Sequence, residues 1–282
     1  MNTMNQTSES LLQLAKKNAS RFTGNPNVKA IVVTGSAALG YADEFSDIDT
    51  LILYDNKLSD DEFNNIVENA KISGGDFYGG DTENGFAVYE YIEGTRCDFA
   101  HGYISFTENL INEMLENSNN DMIKQLLVFG FLNSLSLYGD KWVKEWKAKA
   151  SCYPDKLSNI MIKEHLRFHP KWVLDKMVIE RNDVIYLYEI LVQSVKDIIC
   201  VLCGLNRLYY HGKLKHTEYF IERMKLKPGN LQSRMEGILK AGSQESVEEL
   251  YRLITEVIEL VDSNTEIDTS RTREVIKMIL RK

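Results

Sequence analysis

Three carboxylates invite a chemical reading. Asp47-Ile48-Asp49 opens the apolar run "DIDTLILY", and Asp98 interrupts the apolar stretch "RCDFAHGY". In a strand, residues i and i+2 project to one face, so Asp47 and Asp49 point together while Ile48 packs on the other side. Two like charges this close repel, and each is harder to ionise unless a cation lies between them. Mg²⁺ meets that need, because it takes oxygen ligands from one or two carboxylates together with substrate phosphate oxygens. If the strand carrying Asp98 lies beside the one carrying Asp49, three carboxylates meet at one end of a sheet. Such a set suits two metal ions working on an in-line phosphoryl displacement. Glu90 and Glu93, just upstream of Asp98, are the other residues open to the role of general base.

Gly35-Ser36 ends the β-branched run "VKAIVVTG", and ten residues separate it from Asp47. Glycine at a strand end lets backbone approach a phosphate, and the N–H groups of the following turn face an anion. Taken together, "GSAALGYADEFSDIDTLIL" and the later strand aspartate resemble the signature of the DNA polymerase beta-like nucleotidyltransferase superfamily. More narrowly, this stretch followed by an all-helical half resembles the bacterial antibiotic nucleotidyltransferases, which adenylylate aminoglycosides or lincosamides. The resemblance spans about residues 31–100; beyond them only length and helical character are alike. It implies that Gly35 and Ser36, with Ser46 directly before Asp47, hold a nucleoside triphosphate such as ATP. Asp47 and Asp49 would bind Mg²⁺, and Asp98 would be the third ligand or the base for an acceptor hydroxyl.

The elements that must position these residues follow from patterning. Residues 8–21 carry an amphipathic helical pattern, and "NPN" at 25–27 ends it. Strands are predicted over 28–35 and 47–54. Ser59 and Glu62 form a capping box at the start of a helix. After the glycine-dense "SGGDFYGGDTENG", read as a loop, a hairpin pairs 86–92 with 95–103 around Glu93-Gly94. Beyond residue 104 the strand signals stop and helical spacing takes over. The fold class is therefore α+β: a small mixed-sheet nucleotidyltransferase domain over 1–103, then an all-α, acceptor-binding domain over 104–282.

Two features of the helical half bear on the site. On the helix from Asp183 to Cys203, Ile185, Tyr188, Val192, Val195, Ile199 and Leu202 form an apolar stripe. Beside it run Glu189, Gln193 and Lys196, which either line a cleft, with Lys196 on nucleotide phosphates, or form a solvated face. In "GLNRLYYHGKLKH", Tyr209 could stack on adenine, although basic residues gather at helix C-termini for reasons of the dipole alone. Cys200 and Cys203 have C-x-x-C spacing but no second pair, so they read as buried thiols rather than a zinc site. His165 and His169, at i and i+4, lack the neighbouring acid of a metalloprotease helix.

The net charge of −8 disfavours a nucleic-acid partner and suits metals or a cationic small molecule. The expected partners are a small-molecule acceptor with a free hydroxyl and, through the helical half, a second copy of the chain. No apolar leader region and no run of about 18 apolar residues is present, so no membrane partner and a cytoplasmic location are expected. The rival class is a nucleotide-binding or antitoxin-like module of the same fold without turnover.

Overall fold

The computed structural model describes residues 4–279. The chain forms two compact units. The first runs through Asn117 and takes in Leu127–Cys152; the second comprises Ser118–Leu126 and the chain from Tyr153 onward.

The first unit holds α1 (Gln6–Ala19), β1 (Val28–Thr34), α2 (Gly35–Leu39), β2 (Ile48–Tyr54), α3 (Asp60–Ile72), β3 (Asp76–Asp81), β4 (Gly85–Ile92), β5 (Thr95–Tyr103) and α4 (Ile104–Glu116). It is completed by the later part of α5 (Met122–Asn133), by β6 (Leu135–Tyr138) and by α6 (Asp140–Ala150). Its six strands form one mixed sheet in the order β3-β4-β5-β2-β1-β6. Only β2 and β5 run parallel; the other neighbours are antiparallel.

Strand alternation sorts the side chains onto two faces. Ile48, Ile52 and Tyr54 of β2, Phe86 and Val88 of β4, and Cys97 and Phe99 of β5 join one buried cluster. Leu11, Leu12 and Leu14 of α1 and Phe63, Ile66 and Val67 of α3 pack onto that cluster. Helix α3 starts with the capping box expected of it: the Ser59 N–H donates to Glu62 Oε2 (2.8 Å) and the Glu62 N–H to Ser59 Oγ (3.3 Å). The β4–β5 turn places Glu93 and Gly94 at φ 52° and 80°. Positive φ at both centres gives a two-residue turn whose twist matches the strands.

Two strands were not expected. The glycine-dense segment read as a loop contains β3, an edge strand paired with β4. Its residues are mostly exposed, so it shows no buried alternation to read. Gly80 serves close approach: a Cβ there would lie 2.3 Å from the Gly85 carbonyl oxygen. The second is β6, in a stretch read as helical throughout. Its four residues pair with β1 on the far edge of the sheet, and their apolar spacing merges with that of α5.

His101 stands on the buried face with 2% exposure. Its Nδ1 lies 2.8 Å from the Tyr54 hydroxyl, and its ring stacks on Phe86 with centroids 4.6 Å apart. Burial, with a smaller contribution from Arg21, lowers its pKa to about 3. Below the ordinary histidine value of about 6.5 the unfolded chain takes up a proton that the folded chain refuses. This contribution to stability is therefore complete above about pH 6.5 and declines as pH falls towards about 3. At about pH 5 the loss is about 2 kcal/mol. His101→Gln should remove about that much acid sensitivity between pH 7 and 5, measured by urea unfolding. Equal slopes in variant and parent would contradict the assignment. The comparison must be between the two proteins, because burial also lowers His211 of the second unit to about 4.

The second unit is helical: α7 (Asp155–His165), a π-helical segment (Val173–Ile179), α8 (Val184–Asn206), α9 (Thr217–Ile221), α10 (Leu231–Ala241), α11 (Gln244–Asn264) and α12 (Ser270–Lys277). In α8 the buried side differs from the stripe expected. Val195, Ile199 and Leu202 are buried, but Ile185, Tyr188 and Val192 are exposed. Leu187, Ile190 and Leu191 take the core positions in the first turns instead. Cys200 and Cys203 are buried free thiols on α8, as read. Among the described residues no helix is long and apolar enough to cross a membrane.

Candidate active site

The parallel pairing of β2 and β5 does the essential positioning. It sets Asp49 directly opposite Asp98 in register, and both fall on the sheet face opposite the buried cluster. Asp47, one residue before β2, turns to the same place. One carboxylate oxygen from each of Asp47, Asp49 and Asp98 lies within 4.8 Å of the others, and all three residues are half-buried. Three such carboxylates form a donor set that fits a hard divalent cation.

Gly35 follows Thr34, which pairs with Asp49 across β1 and β2. It has φ +68°, and a Cβ there would lie 2.1 Å from Asp49 Oδ2. Only glycine lets α2 begin against that carboxylate. Ser36 stands in the first turn of α2, and its carbonyl accepts from the N–H groups of Gly40 (3.0 Å) and Tyr41 (3.2 Å). Ser46 closes the turn that leads into Asp47. Its hydroxyl donates to Asp43 Oδ1 (2.8 Å) and accepts from the Asp43 N–H (3.0 Å). Lys196 lies on α8 in the second unit, half-buried.

The glutamates weighed beside Asp98 lie elsewhere. Glu90 alternates onto the buried face, with 5% exposure. There it accepts a two-pronged pair of hydrogen bonds from Arg21, both 2.9 Å. Glu93 sits at the hairpin turn, exposed and paired with Lys17. In the second unit, Gln193 donates to Asp197 (3.0 Å), which also holds His165 Nδ1 (2.7 Å). That places His165 in a structural network. Tyr209 is 3% exposed against Tyr153, so its ring is committed to the core.

One residue at the site escaped the sequence reading. Arg96 donates from Nε to Asp98 Oδ1 (2.7 Å) and from a terminal nitrogen to Oδ2 (3.3 Å). The Asp98 hydrogen bond, together with the charges of Asp98 and Asp47, raises its pKa above the ordinary arginine value. Its guanidinium lies 4.4 Å from the Tyr89 ring centroid and 5.9 Å from that of Tyr78. The signal was in the spacing: in "RCD" the arginine and aspartate are i and i+2, on one face.

Past the triad, the same face opens into a cavity of about 300 Å³. Leu51, Ala87, Ala100 and Gly102 form its floor, and Phe106 of α4 and Leu127 of α5 stand at its wall. The lining is mainly apolar, with Asn84, His101 and Thr107 among its residues.

Comparison with known proteins gives one family match that includes part of this site. Residues 11–82, which include Gly35, Ser36, Asp47 and Asp49, match the family described as "Nucleotidyltransferase domain". Among curated protein sequences none matches. A solved structure of a nucleotidyltransferase-like protein from Exiguobacterium sibiricum 255-15 is similar over 89% of this chain and 74% of its own, at 9% identity and a TM-score of 0.40. Residues 11–82 of the first unit thus match a nucleotidyltransferase domain, in keeping with the resemblance to the DNA polymerase beta-like superfamily.

Proposed function

We propose that the protein is a Mg²⁺-dependent nucleotidyltransferase that moves a nucleoside monophosphate, AMP from ATP, to a hydroxyl of a small molecule. The observation that carries this is the convergence of Asp47, Asp49 and Asp98 within 4.8 Å beside the Gly35–Ser36 turn. The acceptor oxygen attacks the α-phosphorus, the bond to the pyrophosphate oxygen breaks, and pyrophosphate leaves. Asp98 takes the hydroxyl proton on a carboxylate oxygen, since Glu90 and Glu93 face away. Asp47, Asp49 and Asp98 would hold the divalent ions, which when bound supply positive charge for the α-phosphate and the leaving pyrophosphate. Gly35 and the α2 turn orient the triphosphate, and most of the rate comes from positioning and electrostatics.

The cavity next to Asp98 supports an acceptor that combines a hydroxyl with an apolar portion. Of the antibiotic classes named by the resemblance, a lincosamide suits this lining better than a polycationic aminoglycoside. Antibiotic resistance would then be the physiological role. Gly102→Leu tests the idea: a Cβ there meets only Leu53 and Leu51 side chains, at 3.5 and 3.6 Å. That Cβ meets no backbone atom within 4 Å, and the larger side chain takes up cavity space. It should raise the acceptor KM about tenfold and leave nucleotide affinity alone; an unchanged KM would remove the acceptor from this cavity.

The direct test of the activity is Mg²⁺-dependent pyrophosphate release from ATP across a panel of hydroxyl acceptors, lincosamides and aminoglycosides included. Nucleotide binding without release on any acceptor would favour a non-catalytic module.

A further inference from the structure

We propose that Arg96 is a built-in counter-ion that competes with divalent metal for Asp98, so that it sets the affinity of the triad for free cation. The inference rests on reading Asp47, Asp49 and Asp98 as the metal-binding carboxylates. Arg96 engages both oxygens of Asp98, at 2.7 and 3.3 Å. A fork of this kind is charge-assisted on both prongs and stronger than a neutral hydrogen bond. Asp47 adds its own attraction for the guanidinium. The side chain is further held by the Tyr89 ring at 4.4 Å, and β4–β5 pairing sets Tyr89 opposite Asp98 and Tyr91 opposite Arg96. Arg96 and Asp98 are 37% and 26% exposed at the side chain, so the pair is only partly screened by water.

The order of binding follows from this arrangement. A bare cation reaching for Asp98 must break two charge-assisted hydrogen bonds and face the guanidinium's positive charge. A cation arriving on a triphosphate brings anionic oxygens, which offer the guanidinium another partner. The triad therefore loads metal poorly alone and well with nucleotide. Arg96 acts through Asp98 and is a positioning residue.

The test is a Mn²⁺ titration of the nucleotide-free full chain, with free Mn²⁺ followed by electron paramagnetic resonance. Arg96→Gln should bind Mn²⁺ about tenfold more tightly than the parent protein, with Arg96→Lys between them, because a lysine keeps the charge but loses the fork. The gain should vanish when Arg96→Gln is combined with Asp98→Asn. Tightening is informative because a variant that merely loosened the fold would weaken the site. Equal or weaker binding by Arg96→Gln, or a gain that survives loss of Asp98, would overturn the role of Arg96 while leaving the metal site standing. No binding at millimolar Mn²⁺ by either parent or Arg96→Gln would overturn both.

Discussion

Asparagine at both Asp47 and Asp49 should abolish the proposed nucleotidyl transfer, lowering the rate by about a thousandfold or more, while the folded chain stays at least as stable as before. The two halves of this result have separate causes. Each replacement keeps the shape of the side chain and removes one charge from a site whose proposed role is to collect positive charge around phosphates. Losing one preorganised electrostatic contact commonly costs about a hundredfold to a thousandfold in rate. Stability moves the other way. Carboxylates held within 4.8 Å repel by about 1 to 3 kcal/mol at the effective dielectric of a partly buried site. The Asp49→Asn change also keeps the side-chain volume against which Gly35 is fitted. The check pairs a pyrophosphate-release assay with urea unfolding on the same preparations. Full transfer by the double variant would sink the mechanism, and transfer lost in step with unfolding would reduce the aspartates to structural residues.

The triad was legible in the sequence because each of its determinants is local. Asp47 and Asp49 declare a shared face by their i, i+2 spacing, and Gly35 marks the strand end. The clean alternation of Cys97, Phe99 and Tyr103 shows that Asp98 lies on the opposite side of its strand. What local spacing does not contain is pairing. Nothing near Asp98 says that β5 runs parallel to β2 in the register that sets it opposite Asp49. The sequence allows the adjacency of the two strands only as a condition, and the sheet meets it. The same limit explains Glu90, whose strand neighbours say nothing of a partner, Arg21, that is 69 positions away. Edge strands failed for another reason. β3 buries little and shows no apolar alternation, while the Leu135-Ser136-Leu137 alternation of β6 is short and runs on from the apolar spacing of α5. In α8, a helix apolar nearly all round, spacing alone did not say which stripe meets the core.

Arg21→Met should destabilise the first unit by about 3 kcal/mol. Arg21 follows α1 and reaches Glu90 through two hydrogen bonds of 2.9 Å. It thereby ties α1 to the sheet. Its guanidinium also lies 5.4 Å from the Phe22 ring and 5.6 Å from the Phe99 ring, so methionine keeps part of the packing but none of the charge. The cost lies in what remains. Glu90 has a side chain only 7% exposed, and an uncompensated carboxylate there has lost most of its water. Removing one member of such a pair is far more damaging than replacing both. Arg21→Met with Glu90→Gln should therefore be more stable than Arg21→Met alone. Urea unfolding at pH 7 reads the effect, and a double variant no more stable than the single one would contradict the account. The same proteins decide the base. Glu90→Gln leaves transfer per folded molecule within a few-fold of the parent if the proton goes to Asp98, because β4 turns Glu90 away from the face on which the three aspartates meet.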